Sequence, residues 1–192
     1  MKHRKIRGGR IKGAKERGAW AELYFMVLAM TYGLKVSSPY GGFGPYDVGV
    51  ESGIGPVLRV QVKCTFFECR TGSYRLSIRM RNGARGRGLH GYVPGTVDFF
   101  ALYVVPTDDW YIIPYAVVGN RKASLNFKPG MKKQKYGKYR EAWHLLLDAR
   151  KGGTQGPIDI QACCDDGDAA QGVRGVRERA AIRKMFRGVL RS

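Results

Sequence analysis

Gly41-Gly42-Phe43-Gly44-Pro45-Tyr46-Asp47 is a glycine- and proline-rich turn ending on an acid, and Leu58-Arg59-Val60-Gln61-Val62-Lys63-Cys64-Thr65-Phe66 follows it as a strand-like run. Thirteen residues separate Asp47 from Gln61. In a strand, residues two apart point to the same face, so Gln61 and Lys63 project together. A hairpin return from the Asp47 strand brings all three side chains into one small volume. Carboxylate and amide oxygens beside an ammonium suit a hard divalent cation and a phosphodiester, because such cations take oxygen ligands.

The composition agrees with a polyanionic partner. The chain has 192 residues, enough for one domain with appendages, and 44% of them are hydrophobic, which excludes global disorder. Against 34 Lys and Arg stand 15 Asp and Glu, a net charge of +19. A chain this basic repels itself unless a polyanion balances it, whether nucleic acid or an anionic membrane. No apolar run reaches transmembrane length and Met1–Arg17 lacks the apolar stretch of a signal peptide, which favours nucleic acid, no membrane and a cytoplasmic location. Cys64, Cys69, Cys163 and Cys164 form no Cys-x-x-Cys pair and read as free thiols rather than zinc ligands.

Residues 1–11 read as a flexible basic arm, 12–150 as the folded domain, 151–172 as a linker and 173–192 as a basic amphipathic helix. Ala14–Tyr32 lacks proline and predicts a helix that Gly33 stops. Its apolar positions Trp20, Leu23, Val27 and Met30 follow helical spacing, and an apolar character nearly all round predicts burial on more than one side. Short strands are expected near Lys35–Ser38, Tyr46–Val50, Val57–Phe66, Ser73–Arg79, Asp98–Val105 and Trp110–Pro114, with a helix near Tyr139–Ala149.

The Asp47, Gln61-Val62-Lys63 spacing resembles the PD-(D/E)XK nuclease superfamily, with glutamine where the second acid usually stands. That variant is most similar to the group I intron-encoded homing endonucleases. Lys12-Gly13-Ala14-Lys15-Glu16-Arg17-Gly18 followed by Glu22 resembles the first helix of that family, and Val97–Val105 with Trp110–Pro114 resembles its later strands. The resemblance covers roughly Lys12 to Gly119. It implies an α/β (α+β) fold, a mixed β-sheet flanked by helices, here with a basic N-terminal arm and a C-terminal helical extension. It also implies a Mg²⁺-dependent DNA endonuclease, with Mn²⁺ able to substitute.

Within that reading Asp47 anchors the metal, and Gln61 offers an amide oxygen without a charge. The Val62 carbonyl is a further ligand, and Lys63 stabilises the pentacovalent phosphate or lowers the pKa of the attacking water. Glu22 is the sole acid in Ala19–Tyr32, where an unpaired buried carboxylate costs several kcal/mol; the resemblance makes it a fourth catalytic residue that holds a metal-bound water. Gly18, one turn before Glu22, is explained either by close approach of a strand or a DNA phosphate, or by a simple helix irregularity. Asp98 reads as a strand-start residue, and Glu51, Asp108 and Asp109 as turn residues.

Lys12 and Lys15 are expected to touch DNA. So are Arg75, Arg79 and Arg81, which alternation along Ser73–Arg81 places on one face of a ribbon. Cutting both strands of duplex DNA with one site per chain requires two protomers, so a homodimer or tetramer is expected. A Holliday-junction resolvase or restriction-type nuclease on the same core is an alternative, as is a basic nucleic-acid-binding protein without catalysis.

Overall fold

The computed structural model describes residues 4–5, 11–42, 44–51, 56–81, 89–119, 123–131, 133–149 and 179–186. In chain order the strands are β1 (Arg4–Lys5), β2 (Lys35–Ser37), β3 (Val48–Glu51), β4 (Leu58–Thr65), β5 (Phe67–Glu68) and β6 (Tyr74–Ser77). They continue with β7 (Met80–Arg81), β8 (Leu89–His90), β9 (Phe99–Val104), β10 (Asp109–Pro114) and β11 (Ser124–Phe127). The helices are α1 (Ala14–Thr31), α2 (Tyr115–Val118), α3 (His144–Asp148) and α4, residues 179–186.

Helix α1 opens where the Glu16 carboxylate accepts a 3.1 Å hydrogen bond from the Gly13 N–H, a group with no intrahelical partner of its own. It stops before Gly33, whose φ of +76° is cheap only for glycine. The N–H groups of Gly33 and Leu34 return to the Met30 and Ala29 carbonyls at 2.9 and 3.2 Å.

Among the described residues the principal sheet runs β10-β9-β4-β3-β2. All its pairs are antiparallel except β4 with β9, which makes the sheet mixed. Strand β9 is buried along its whole length and reads Phe-Phe-Ala-Leu-Tyr-Val, the continuous apolar run of a strand covered on both faces. One cover is α1: Trp20 and Tyr24 lie 5.8 and 5.3 Å from the Tyr103 ring, and Phe25 lies 5.6 Å from Trp110. On the other face lies a second sheet, β1-β5-β6-β11, whose Phe127 ring lies 4.3 Å from Tyr111. This is the mixed α+β architecture that the sequence predicts.

Four local expectations need correction. The buried stripe of α1 is Trp20, Ala21, Tyr24, Phe25, Leu28 and Ala29, whereas Leu23 is 57% exposed and Met30 62% exposed. The phase is set by which side chains meet the aromatic rings of β9 and β10, not by apolarity alone. The Ser73–Arg79 strand ends at Ser77, and Met80–Arg81 pairs instead with Leu89–His90. The Tyr139–Ala149 helix is replaced by a 3-10 turn at Gly137–Tyr139 and the short α3. Glu141 interrupts it at φ +54°, with its carboxylate accepting from the Trp110 N–H at 2.9 Å and the Trp143 indole N–H at 3.0 Å. Finally, β11 forms at Ser124–Phe127, where no strand is expected.

The basic arm and the final helix both touch the core where they are described. Arg4–Lys5 pairs antiparallel with Phe67–Glu68. Phe186 of α4 stacks on Tyr24 at 4.4 Å, and the Arg179 guanidinium lies 4.6 Å from the Tyr32 ring centroid. The expected linker, 151–172, lies outside the described residues.

Candidate active site

The turn before β3 delivers Asp47 to the edge of the β3–β4 pair, where its N–H donates to the Val60 carbonyl at 3.0 Å. Val48 is paired with Val60, so Asp47 enters the sheet beside Gln61. One carboxylate oxygen of Asp47, Oδ2, accepts from the Val62 N–H at 2.8 Å and from the Gln61 side-chain amide. A carboxylate only accepts, so the Gln61 NH₂ faces Asp47 and its Oε1 is left for another partner. Gln61 is 6% exposed and Lys63 half-buried, both on β4 and two residues apart, hence on one face. In parallel register they sit beside Phe100 and Leu102 of β9.

Glu22, half-buried on α1, completes the group. Burial pushes its carboxyl above the usual range, the Asp47 charge pushes it the same way, and Lys63 opposes both. Asp47 is also raised, chiefly by burial, against the Val62 N–H, Lys63 and the Gln61 amide, which all favour its charged form. The structure therefore brings together all four residues predicted for catalysis. Among the described residues no three of His, Cys, Asp and Glu cluster together, so the donor set here is two carboxylates with neutral oxygens from Gln61 and Val62. Two half-buried carboxyls held above their usual range fit a hard divalent cation, whose charge offsets the repulsion between them.

These raised values make a prediction for the metal-free protein. A carboxyl that binds its proton more tightly when folded contributes stability that is complete below its unfolded pKa and lost as pH rises through its folded one. Glu22→Gln removes that loss. Its melting temperature should exceed that of the wild type at neutral pH, with the gap closing towards about pH 4, and saturating Mg²⁺ should narrow the gap by stabilising the wild type. Thermal melts across that range check it; a gap independent of pH contradicts it.

Asp98 plays the structural part expected of it. It accepts from the Arg59 N–H at 2.8 Å and from Nε and Nη2 of the Arg59 guanidinium, both at 2.9 Å, and so ties β9 to β4. The residues expected to touch DNA are more scattered. Lys12 and Lys15 are exposed at the start of α1. Arg75 is exposed on β6 and donates to the Ser124 hydroxyl at 2.9 Å. Arg79 lies past the end of β6, and Arg81 lies in β7 with its side chain outside the described residues. They do not share one continuous ribbon.

A sequence profile of PD-(D/E)XK endonucleases matches residues 13–146, a span that holds Glu22, Asp47, Gln61 and Lys63. The chain belongs to the PD-(D/E)XK endonuclease family. Among solved structures, the bacterial homing endonuclease I-Ssp6803I is similar to this endonuclease at 27% identity and a TM-score of 0.64, over 73% of this chain and 97% of that one. No curated protein sequence matches.

Sequence reasoning missed a polar cluster that braces the active-site helix of this PD-(D/E)XK endonuclease. Asp108, read as a turn residue, does occupy a turn at φ +57°, but it is 2% exposed. Its Oδ1 accepts from the Tyr103 and Tyr24 hydroxyls at 2.7 and 3.3 Å, and its backbone carbonyl accepts from Arg183 at 3.1 Å. Arg183 also pairs with Glu141. Tyr24 lies two residues from Glu22, so the cluster fixes the stretch of helix that carries a proposed catalytic carboxylate. Tyr92, buried against Phe100, was missed as well; burial and the nearby Asp47 charge hold its hydroxyl protonated. The one available signal was the presence of tyrosines in apolar runs, since a buried hydroxyl needs a partner.

Proposed function

We propose that this endonuclease hydrolyses phosphodiester bonds of double-stranded DNA with Mg²⁺, Mn²⁺ substituting, and cuts both strands as a cytoplasmic homo-oligomer in the manner of a homing endonuclease. The observation that carries this reading is the meeting of Asp47, Gln61, Lys63 and Glu22 at one edge of the β3–β4 pair. The net charge of +19 supports a polyanionic substrate. Among the described residues no helix is long and apolar enough to cross a membrane.

Asp47, Glu22, the Gln61 Oε1 and the Val62 carbonyl would hold the cation. When bound, it supplies Lewis-acid polarisation of a phosphoryl oxygen and a more acidic water. The protein residues do the rest. Lys63 is held beside both carboxyls, so its ammonium stands ready where negative charge develops on the phosphoryl oxygens. The hydrogen bonds from Gln61 and Val62 fix the Asp47 carboxylate before substrate arrives, which removes a reorganisation cost from the reaction. The water oxygen forms the new bond to phosphorus as the bond to the leaving sugar oxygen breaks; the water proton passes to solvent or to a carboxylate, and the sugar oxygen takes up a proton from solvent.

Incubating the protein with supercoiled plasmid and with a four-way junction tests this. Plasmid should be nicked or linearised in Mg²⁺ or Mn²⁺ and untouched in excess EDTA. Full-rate cleavage in EDTA would overturn the metal assignment, and cleavage confined to the junction would replace a duplex cutter by a resolvase.

A further inference from the structure

Two neighbouring residues on α1 have features that the fold itself does not require. The first is Arg17. Its carbonyl accepts from the Cys64 thiol at 3.6 Å, which places the first turn of α1 against the residue following Lys63. Its guanidinium lies 5.4 and 5.7 Å from the ring centroids of Phe66 and Phe67 and donates to the Lys12 carbonyl at 2.9 Å. Among the described residues no carboxylate pairs with it. A planar cation with five N–H donors is thus held in place by two rings and one carbonyl, with most of its donors uncommitted.

The second is Gly18. A glycine within a helix is unfavourable relative to alanine, and among the described residues nothing demands one here. A Cβ at this position would meet only the Glu22 Oε1, at 3.9 Å, an ordinary contact. Among the described residues no side chain fills the space over the Gly18 backbone, beside the Glu22 carboxyl.

We infer that Arg17 and Gly18 together receive the DNA backbone phosphate that flanks the scissile one, Arg17 gripping its oxygens and Gly18 letting the strand approach α1. This rests on the DNA-endonuclease reading above. A phosphate matches the guanidinium fork in shape and charge. The missing side chain at Gly18 lets the sugar-phosphate chain come close enough to set the next phosphate against Lys63 and the carboxyls. Arg17 and Gly18 are positioning residues, acting on the placement of substrate.

Gly18→Ala separates a structural role from this one because the two predict opposite signs. Alanine is the better helix former and fits without a clash, so the melting temperature should rise by a few degrees. Affinity for a mixed-sequence duplex in Ca²⁺ should fall about tenfold, and plasmid cleavage in Mg²⁺ by about 10²-fold, as expected of a misplaced substrate. Arg17→Gln, at unchanged melting temperature, should reduce the slope of log K against log salt by roughly one. A Gly18→Ala protein that is more stable and cleaves normally overturns the inference, and so does one that is less stable. An unaltered salt slope for Arg17→Gln removes the phosphate grip. Failure of the wild type itself to bind and cut DNA is a different result, which overturns the endonuclease reading and this inference with it.

Discussion

Lys63→Met is expected to lower DNA cleavage by about 10²- to 10³-fold, the range seen when one preorganised stabiliser of developing charge is removed. Methionine keeps an unbranched stem of similar length, so packing against β9 should persist while the ammonium beside Asp47 and Glu22 is lost. Asp47→Asn should be at least as damaging. It removes the charge proposed to anchor the cation, and if the amide oxygen keeps the hydrogen bonds from Val62 and Gln61, an NH₂ replaces the other carboxylate oxygen. Both variants should retain the circular dichroism spectrum of the wild type and most of its affinity for duplex DNA in Ca²⁺. Single-turnover cleavage on saturating DNA is the measurement; wild-type rates for both would remove these residues from the chemistry.

The largest effect on stability is expected at Asp108. Asp108→Ala leaves the Tyr24 and Tyr103 hydroxyls buried without their acceptor, at about 1–3 kcal/mol each. It also forces alanine into a left-handed conformation that costs about 1–2 kcal/mol. Urea denaturation should register a loss of about 3 kcal/mol or more. Asp108→Asn keeps an acceptor oxygen and tolerates the left-handed backbone, so it should lose markedly less. Equal losses for the two variants would mean that only the charge opposite Arg183 matters.

The parts of this fold that were legible in the sequence are those determined locally. Asp47, Gln61 and Lys63 are brought together by one turn and one strand pairing, so spacing and period-2 alternation suffice to place them. Gly33 ends α1 for a reason contained in its own backbone. What could not be read depends on distant partners. Leu23 and Met30 are as apolar as Leu28, and only the rings of Tyr103 and Trp110 decide which of them is covered. Asp108 was legible as a turn residue but not as the acceptor for Tyr24, 84 positions away in sequence. Strand β11 is four residues long in basic surroundings, and its pairing with β6 supplies what its own sequence does not advertise.

The docking of α4 bears on how the protein is made. Phe186 and Arg183 close over Tyr24 and Asp108, so α1 is finished by residues that follow it far along the sequence. Contacts between segments so distant in sequence form late, because a long loop must be closed before they can contribute. During synthesis on the ribosome the outer side of α1 around Tyr24 has to wait until residues 179–186 have emerged. The helix that presents Glu22 thus acquires its final brace only after residue 186 has been added, and a product truncated before α4 would carry Glu22 on a loosened support.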